Sequence, residues 1–531
     1  MPEVCGKLTK IMQRFLEKLD RLASIESENA LSKWLERVAF VFMILMFVSA
    51  PHSIAATQIA WLTGMFIWVI RLLIRPRPRL VRTPLDVPLW IFFGWSVITS
   101  IFSYDPPTSL DRLRNVALFL IFYYVINLVR TRRAAFFLAS ALIFSSMVSV
   151  LWSPVARLIG RGVEISGVAA ESPLAKASLI NGDTLLEANG KKLKTPEEFL
   201  AEIEANELSK VTFYRPDYYL TVDVWRKNLL AGADATEKLG FTDWKRSRNW
   251  RSAGFLGHYA TFAEILQLIA SLALGLFIAA WGRKFTGRNE SADSPGTKNR
   301  TRLILAFCVV AMALALLLTV TRASQLAFLI SAAWMVFVVG SRKMLLISAA
   351  VILPVALGGL VFLQQSRQVG FFDSNDDSTK YRQTIYREAL NLWTENPRHF
   401  FLGVGMDSTK KYAAEWRLFD NGKLPMSHFH STPIQLLVER GLPALLLWLW
   451  VLWVYARMLW RYLKVKIPSF DGWREKGIVL GCFGGLIGFS TAGLVHYNLG
   501  DAEVAMVFFM LMGLSVSIAD SKLQMPESKL T

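Results

Sequence analysis

The sequence predicts an α-helical polytopic membrane protein with about 12 transmembrane helices and one small α+β domain inserted between two of them. Three observations carry this reading. Hydrophobic residues make up 53% of the 531-residue chain and the mean hydropathy is +0.36, too apolar for a soluble chain of several domains. The apolar residues gather into runs of roughly 20, the number that spans a hydrocarbon core at about 1.5 Å per helical residue. Between two such runs lies a polar stretch of about a hundred residues with an alternating pattern of its own.

Residues 1–34 read as a cytoplasmic amphipathic segment. Apolar runs follow at 36–52, 54–74, 85–103, 111–129 and 134–153, so that 35–153 carries helices 1 to 5. After the insert, 227–363 carries helices 6 to 9, from runs at 255–281, 303–320, 323–340 and 344–363. A large polar loop at 364–433 precedes helices 10 to 12 in 434–520, from runs at 434–460, 477–496 and 501–519, and 521–531 forms a tail. The first run follows a long polar leader and lacks a small-residue cleavage site, which reads as an uncleaved span rather than a signal peptide.

The net charge of +18 is explained by where the basic residues lie. Arg75, Arg77, Arg79 and Arg82 follow the second run, Arg130, Arg132 and Arg133 the fourth, and Arg283, Lys284, Arg288, Lys298, Arg300 and Arg302 the sixth. Arg342 and Lys343 follow the eighth, and Arg457, Arg461, Lys464, Lys466, Arg474 and Lys476 the tenth. Every even-numbered exit is basic, so the positive-inside rule sets both termini in the cytoplasm and turns 154–253 and 364–433 outward. Nucleic acid is not needed to explain the charge. Cys5 falls on the cytoplasmic side, and Cys308 and Cys482 fall inside spans, positions that suit neither an external disulfide nor a metal cluster.

Within the insert, GVEISGV, SPLAKASLINGDTLLEANGKKL, TPEEFLAEIE, SKVTFYR and YYLTVDVW read as strand, turn, short helix, strand, helix, strand and strand. Residues 157–226 resemble a bacterial PDZ domain: Ser172, Pro173, Ala175, Leu179, Gly182, Asp183, Asn189 and Gly190 stand on the family pattern, and Ser178 departs from its usual Gly. The resemblance implies a groove that takes a peptide by strand addition, with Gly162 and Val163 in the loop that grips its carboxylate, and hence a protein or peptide partner. The alternative is an insert that has lost its ligand and only packs on the membrane core.

Three further constellations carry chemistry. Arg251, in NWRSAGFLGHYATFAEILQL, stands just before the sixth span, and Arg322, in LLLTVTRASQLAFL, interrupts two apolar runs and so belongs at a tight turn or at helix ends on the outer face. Each asks for an anionic partner if it faces the bundle, or snorkels to the interface if it does not. The third is SHFHSTPIQLLVERGLPALLLWL, with His428 and His430 just ahead of the tenth span. Two His at this spacing make a poor zinc signature without further ligands; general-base work suits them better, and neither metal nor cofactor is called for.

The last segment resembles the O-antigen ligase and polymerase superfamily, whose pattern is His, then Asn, Ser or Gln, with a downstream Gly and a final Gly, Thr or Tyr. His430, Ser431 and Gly441 match, and Ala444 departs from the last place. YDPPTSLDRLRNVALFLIFYY, RSAGFLGHYATFAE, the TRAS junction, YRQTIYREALNLWTENPRHFFLGVGMDS and NLGDAEVAMVFFMLMGL extend the similarity over nearly all the membrane part. The resemblance implies a bacterial inner-membrane enzyme that moves a glycan from undecaprenyl pyrophosphate to an acceptor hydroxyl, lipid A-core among the acceptors, at the periplasmic face. His430 would activate the acceptor, and Arg251 and Arg322 would bind the donor pyrophosphate. Arg382 and His428 are secondary candidates, while Arg387 reads as part of a solvated helix face, and His258 and His496 as structural histidines. Rival readings within the resemblance are a polysaccharide polymerase and a protein O-oligosaccharyltransferase; outside it, a transporter of an anionic lipid-linked substrate. An intramembrane metalloprotease would need an H-E-x-x-H helix, which the sequence lacks.

Overall fold

The computed structural model describes residues 2–215, 218–248, 250–281, 295–339, 377–425, 428–464 and 472–519. They fall into two compact units, one of Met1–Ser149 with Phe255–Thr531 and one of Val150–Gly254. The first unit is helical. Its elements are α1 (Pro2–Ala23), α2 (Ala30–Ser49), α3 (Ile54–Leu73), α4 (Asp86–Ile101), α5 (Pro106–Val116), α6 (Leu120–Leu128) and α7 (Arg132–Ile159), the last of which runs on into the second unit. There follow α8 (Tyr259–Trp281), α9 (Pro295–Leu318), α10 (Arg322–Val339), α11 (Asp377–Thr394), α12 (Pro397–Leu402), α13 (Thr432–Lys464), α14 (Trp473–Gly493) and α15 (Ala502–Ala519).

Among the described residues, 8 helices are long and apolar enough to cross a membrane: α3, α7, α8, most of α9, α10, α13, α14 and α15. α2 starts with Lys33, Glu36 and Arg37 in its first turns, and α4 is a shorter apolar helix of 16 residues. The run at 111–129 is divided between two helices joined by a 3₁₀ turn. Its first part, LDRLRNV, carries Asp111, Arg112 and Arg114 on α5; a single 3₁₀ turn over Ala117–Phe119 breaks the helix, and α6 has 9 residues. The run at 344–363 lies outside the described residues.

The core of the helical unit is the contact of α8 with α14. Gly477, Gly481, Gly485 and Gly488 line one face of α14, and a Cβ at Gly477 or Gly481 would press against the Cα of Leu276 or Leu272 at 2.8 or 2.6 Å. Small residues at this spacing let two helices approach to backbone contact, which supplies the packing that a lipid solvent does not. Polar side chains join the same seam: Gln267 Nε2 donates to Ser271 and Ser331 at 3.2 and 3.3 Å, and Ser331 Oγ donates to the Gly484 carbonyl at 2.7 Å, tying α8, α10 and α14. At the other end, Arg71 and Arg130 converge on the buried Glu36 at 2.8 and 3.0 Å, locking α2, α3 and the start of α7.

The second unit is a small antiparallel sheet with short helices over Pro173–Lys176, Pro196–Ala205 and Ala235–Leu239. Its strands are β1 (Arg161–Ser166), β2 (Thr184–Ala188), β3 (Lys191–Lys192), β4 (Leu208–Arg215), β5 (Tyr218–Trp225) and β6 (Asp243–Ser247), in the order β5-β4-β2-β1-β6 with β3 beside β2. The strand and helix sequence read from residues 161–225 is present. The unit does not close at 226, because β6 pairs with β1 through Ile165 opposite Trp244 and Glu164 opposite Lys245, and Ala235, Leu239 and Phe241 fill its core beside Val163, Ile165, Phe199 and Phe213. Gly162 and Val163, expected in a ligand-gripping loop, lie inside β1. Gly162 has φ +57°, and Val163 is fully buried opposite Leu185.

Candidate functional site

The segment that carries the histidines is shaped by what surrounds it. Ser431 caps α13: its carbonyl accepts from Gln435 N at 2.9 Å and its hydroxyl from Ile434 N at 3.5 Å. A Ser or Asn is what a helix N-terminus selects, so the residue after the site histidine has a structural reason to be small and polar. Gly441 has φ 73° and ψ 177°, a region essentially closed to other residues, and a Cβ there would overlap the carbonyl of Phe401. Helix α13 therefore breaks at Gly441, and Pro443 has no N–H to return to the Glu439 carbonyl. The loop fills the gap: Val404 N donates to Val438 O at 2.8 Å and Gly405 N to Glu439 O at 2.9 Å. Ala444, on the next turn, is fully buried.

This break anchors the large loop over the start of α13. Ile385, Ala389 and Leu392 of α11 pack with Val404, Leu418, Phe419, Phe429 and Val438. Phe429, between the two histidines, is fully buried; its ring stacks on Phe419 at 5.6 Å and its N–H donates to Gln435 Oε1 at 2.8 Å. Gln435 in turn donates to Glu439 at 2.9 Å, and the same carboxylate oxygen accepts from Asp407 N at 2.8 Å.

With Phe429 buried, His428 and His430 come together at the rim of this core, half-buried, ring centroids 4.2 Å apart at 61°. Tyr381 of α11 meets His430 edge to face at 5.7 Å, and the Tyr386 hydroxyl donates to the His430 carbonyl at 3.0 Å. His430 itself has φ 45°. From behind, Thr432 N and Oγ1 donate to the His496 carbonyl at 3.1 and 3.2 Å, and Oγ1 is 2.9 Å from Asn498 Oδ1, so the segment joining α14 to α15 lies along the start of α13. The side chain of His496 reaches Glu264 of α8, Nδ1 to Oε1 at 2.8 Å, and Thr261 of α8 donates to Asp501 at 2.6 Å.

The electrostatics follow from this crowding. Burial pushes the His430 pKa down to about 3, and the positive charges that His428, Arg382, His496 and His258 can carry act in the same direction. Burial likewise brings His428 down to about 4, helped by His496 and Lys410 and opposed by Asp501 and Asp407. Both rings are neutral at pH 7, so one nitrogen of each can accept a proton or a hydrogen bond. Burial also raises the hydroxyl of the neighbouring Tyr497.

Residues 307–449 match the family model described as O-antigen ligase. The segment runs from α9 through α10 and the large loop to the kink of α13, and contains Arg322, Arg382, His428, His430, Gly441 and Ala444. The match covers about a quarter of the chain and supports a ligase- or polymerase-type function in O-antigen or polysaccharide assembly, and the 8 membrane-spanning candidates among the described residues support a multi-pass membrane protein. No curated protein matches the chain.

Of the residues singled out from sequence, the structure brings His428, His430 and Arg382 into one neighbourhood. Arg322 is the first residue of α10, half-buried, directly after the turn Thr319–Thr321 in which Val320 has φ 53°. Arg251 is buried near the C-terminal end of the second unit, next to Trp250, which lies under the Arg161 guanidinium at 4.7 Å. Sequence reasoning read His258 and His496 as structural histidines, and His496 pairs with Glu264; it missed Glu264 and Tyr386. Glu264 carried a signal, since a carboxylate inside an apolar span is costly and asks for a named partner; Tyr386 carried none.

Proposed function

We propose that this chain is an O-antigen ligase-like glycosyltransferase that moves a glycan from undecaprenyl pyrophosphate to an acceptor hydroxyl, lipid A-core in the first instance, at the periplasmic face of the bacterial inner membrane. The observation that carries the reading is the placement of His430, half-buried at the rim of a packed loop core and inside the segment that matches the ligase family.

The chemistry needs little beyond positioning and charge. As the acceptor oxygen attacks the anomeric carbon, the bond from that carbon to the pyrophosphate oxygen breaks, the proton of the hydroxyl passes to the His430 imidazole, and undecaprenyl pyrophosphate leaves with its electron pair. A single displacement inverts the anomeric centre and needs no metal. Arg322 and Arg251 are assigned to the pyrophosphate, where a planar, permanently charged fork makes paired hydrogen bonds to phosphate oxygens. Arg382 is assigned to a second ring of contacts. An imidazole of pKa about 3 is by itself a weak base. A bound pyrophosphate is opposite in sign to the cations that depress it, and so raises its basicity when the base is needed.

Both termini are assigned to the cytoplasm by the positive-inside pattern, and the Val150–Gly254 unit to the periplasm as a PDZ-like module that docks a peptide or protein partner. The reading is tested by reconstituting the purified protein with the lipid-linked glycan and lipid A-core. Glycosylated core supports a ligase, an elongated donor makes it a polymerase, and transfer to a peptide hydroxyl alone makes it a protein O-oligosaccharyltransferase.

A further inference from the structure

We infer that His428 is a positioning residue for this reaction, which together with Tyr386 holds the backbone of His430 in the left-handed conformation that presents its imidazole. The inference rests on the reading of His430 as the base. A residue with a Cβ adopts φ 45° at a cost, and keeps it only where its surroundings over-determine it. They do so from both sides of the residue. The His430 N–H donates to His428 Nδ1 at 3.1 Å, and the His430 carbonyl accepts from the Tyr386 hydroxyl at 3.0 Å. Both backbone groups of the site residue are thus satisfied by side chains.

The first bond closes the ring that Asn and Asp make when their side chains accept from the backbone N–H two residues on, here made by an imidazole. It also fixes the chemistry of His428. A lone pair on Nδ1 that accepts from His430 cannot bind a metal or take a proton, so the neutral ring carries its hydrogen on Nε2. His428 is then neither a second base nor a ligand. The second bond comes from a rigid element: Ile385 and Ala389, on either side of Tyr386 in α11, are both fully buried in the loop core. Packing adds to both, with Tyr381 and His428 each meeting the His430 ring edge to face.

The test compares His428→Asn, His428→Gln, His428→Ala, Tyr386→Phe and His430→Ala in the reconstituted protein, with undecaprenyl-pyrophosphate glycan and lipid A-core, and reads kcat and donor KM separately. Asn keeps an acceptor where Nδ1 stands and Gln does not. Loss of one such bond lowers kcat about tenfold, so Ala, Gln and Tyr386→Phe should fall by that much or more with donor KM little changed, while Asn recovers most of the rate. An Asn variant as inactive as Ala overturns the inference, as does an Ala variant as active as wild type. In ¹⁵N-histidine-labelled protein the His428 ring should resonate as the Nε2–H tautomer, a readout that needs no turnover; an Nδ1–H tautomer overturns the inference equally. A fully active His430→Ala would refute the base assignment, and the tautomer measurement tells that failure from failure of the backbone bond.

Discussion

Replacing Gly441 by alanine tests how the helix break builds the site. The position has φ 73° and ψ 177°, a region that costs a residue with a Cβ about 1–3 kcal/mol. The added carbon would overlap the Phe401 carbonyl and lie 2.9 Å from Leu402 N, so the loop must move away from α13. That movement strains the bonds from Val404 and Gly405 to the carbonyls of Val438 and Glu439, each worth about 1 kcal/mol. The sum is about 3–5 kcal/mol, concentrated where the loop carrying α11 is pinned over His430. Gly94 is the control: it lies inside α4 with nothing within 4 Å of an added Cβ, and alanine there should be neutral or slightly stabilising. Thermal unfolding in detergent, followed by tryptophan fluorescence, and transfer activity in liposomes should both drop for Gly441→Ala and neither for Gly94→Ala. Equal melting curves and equal activity for the two variants would refute the claim that the break, rather than helix α13 as such, positions the loop.

Other expectations follow from the same structure. His430 must be neutral to act, and its pKa lies near 3 rather than 6.5, so kcat/KM should stay flat as pH falls from 8 to about 5, and an acid limb with its midpoint near 6.5 would contradict this. Bound pyrophosphate raises that pKa, so the acid limb of kcat should sit at higher pH than that of kcat/KM. Arg322→Ala should raise the donor KM, and Arg322→Lys should recover little, because a point charge does not replace a planar fork; unchanged donor affinity in both variants would remove Arg322 from the pyrophosphate site. Excising residues 161–247 as a whole, since β6 completes the sheet of β1, should reduce the size of the complex isolated from native membranes. An unchanged complex would remove the partner-docking role.

Much of the helical architecture was legible because its signal is local: apolar runs of span length with basic exits. At 111–129 a polar amphipathic helix abuts a short buried one, a division that average hydropathy blurs. In the second unit, β1 to β5 follow one another with clear turn signals, while β6 is separated from its partner β1 by nearly the whole domain, a pairing that periodicity does not encode. His430, Ser431 and Gly441 were legible from the pattern they match, and the structure supplies the physical reason for two of them, a helix cap and a backbone conformation that only Gly tolerates. What was not legible comes from distant segments. Tyr386 and His496 reach the start of α13 by tertiary packing, and Glu264 reaches His496. The depressed pKa of His430 is likewise a property of burial and of the charges around it, not of the residue.

The most direct test of the account is glycan transfer by the reconstituted protein, wild type against His430→Ala, with undecaprenyl-pyrophosphate glycan, lipid A-core acceptor and a chelator present. The account predicts that wild type glycosylates the core and that the variant binds donor normally but transfers nothing measurable. A variant that matches an active wild type would contradict it.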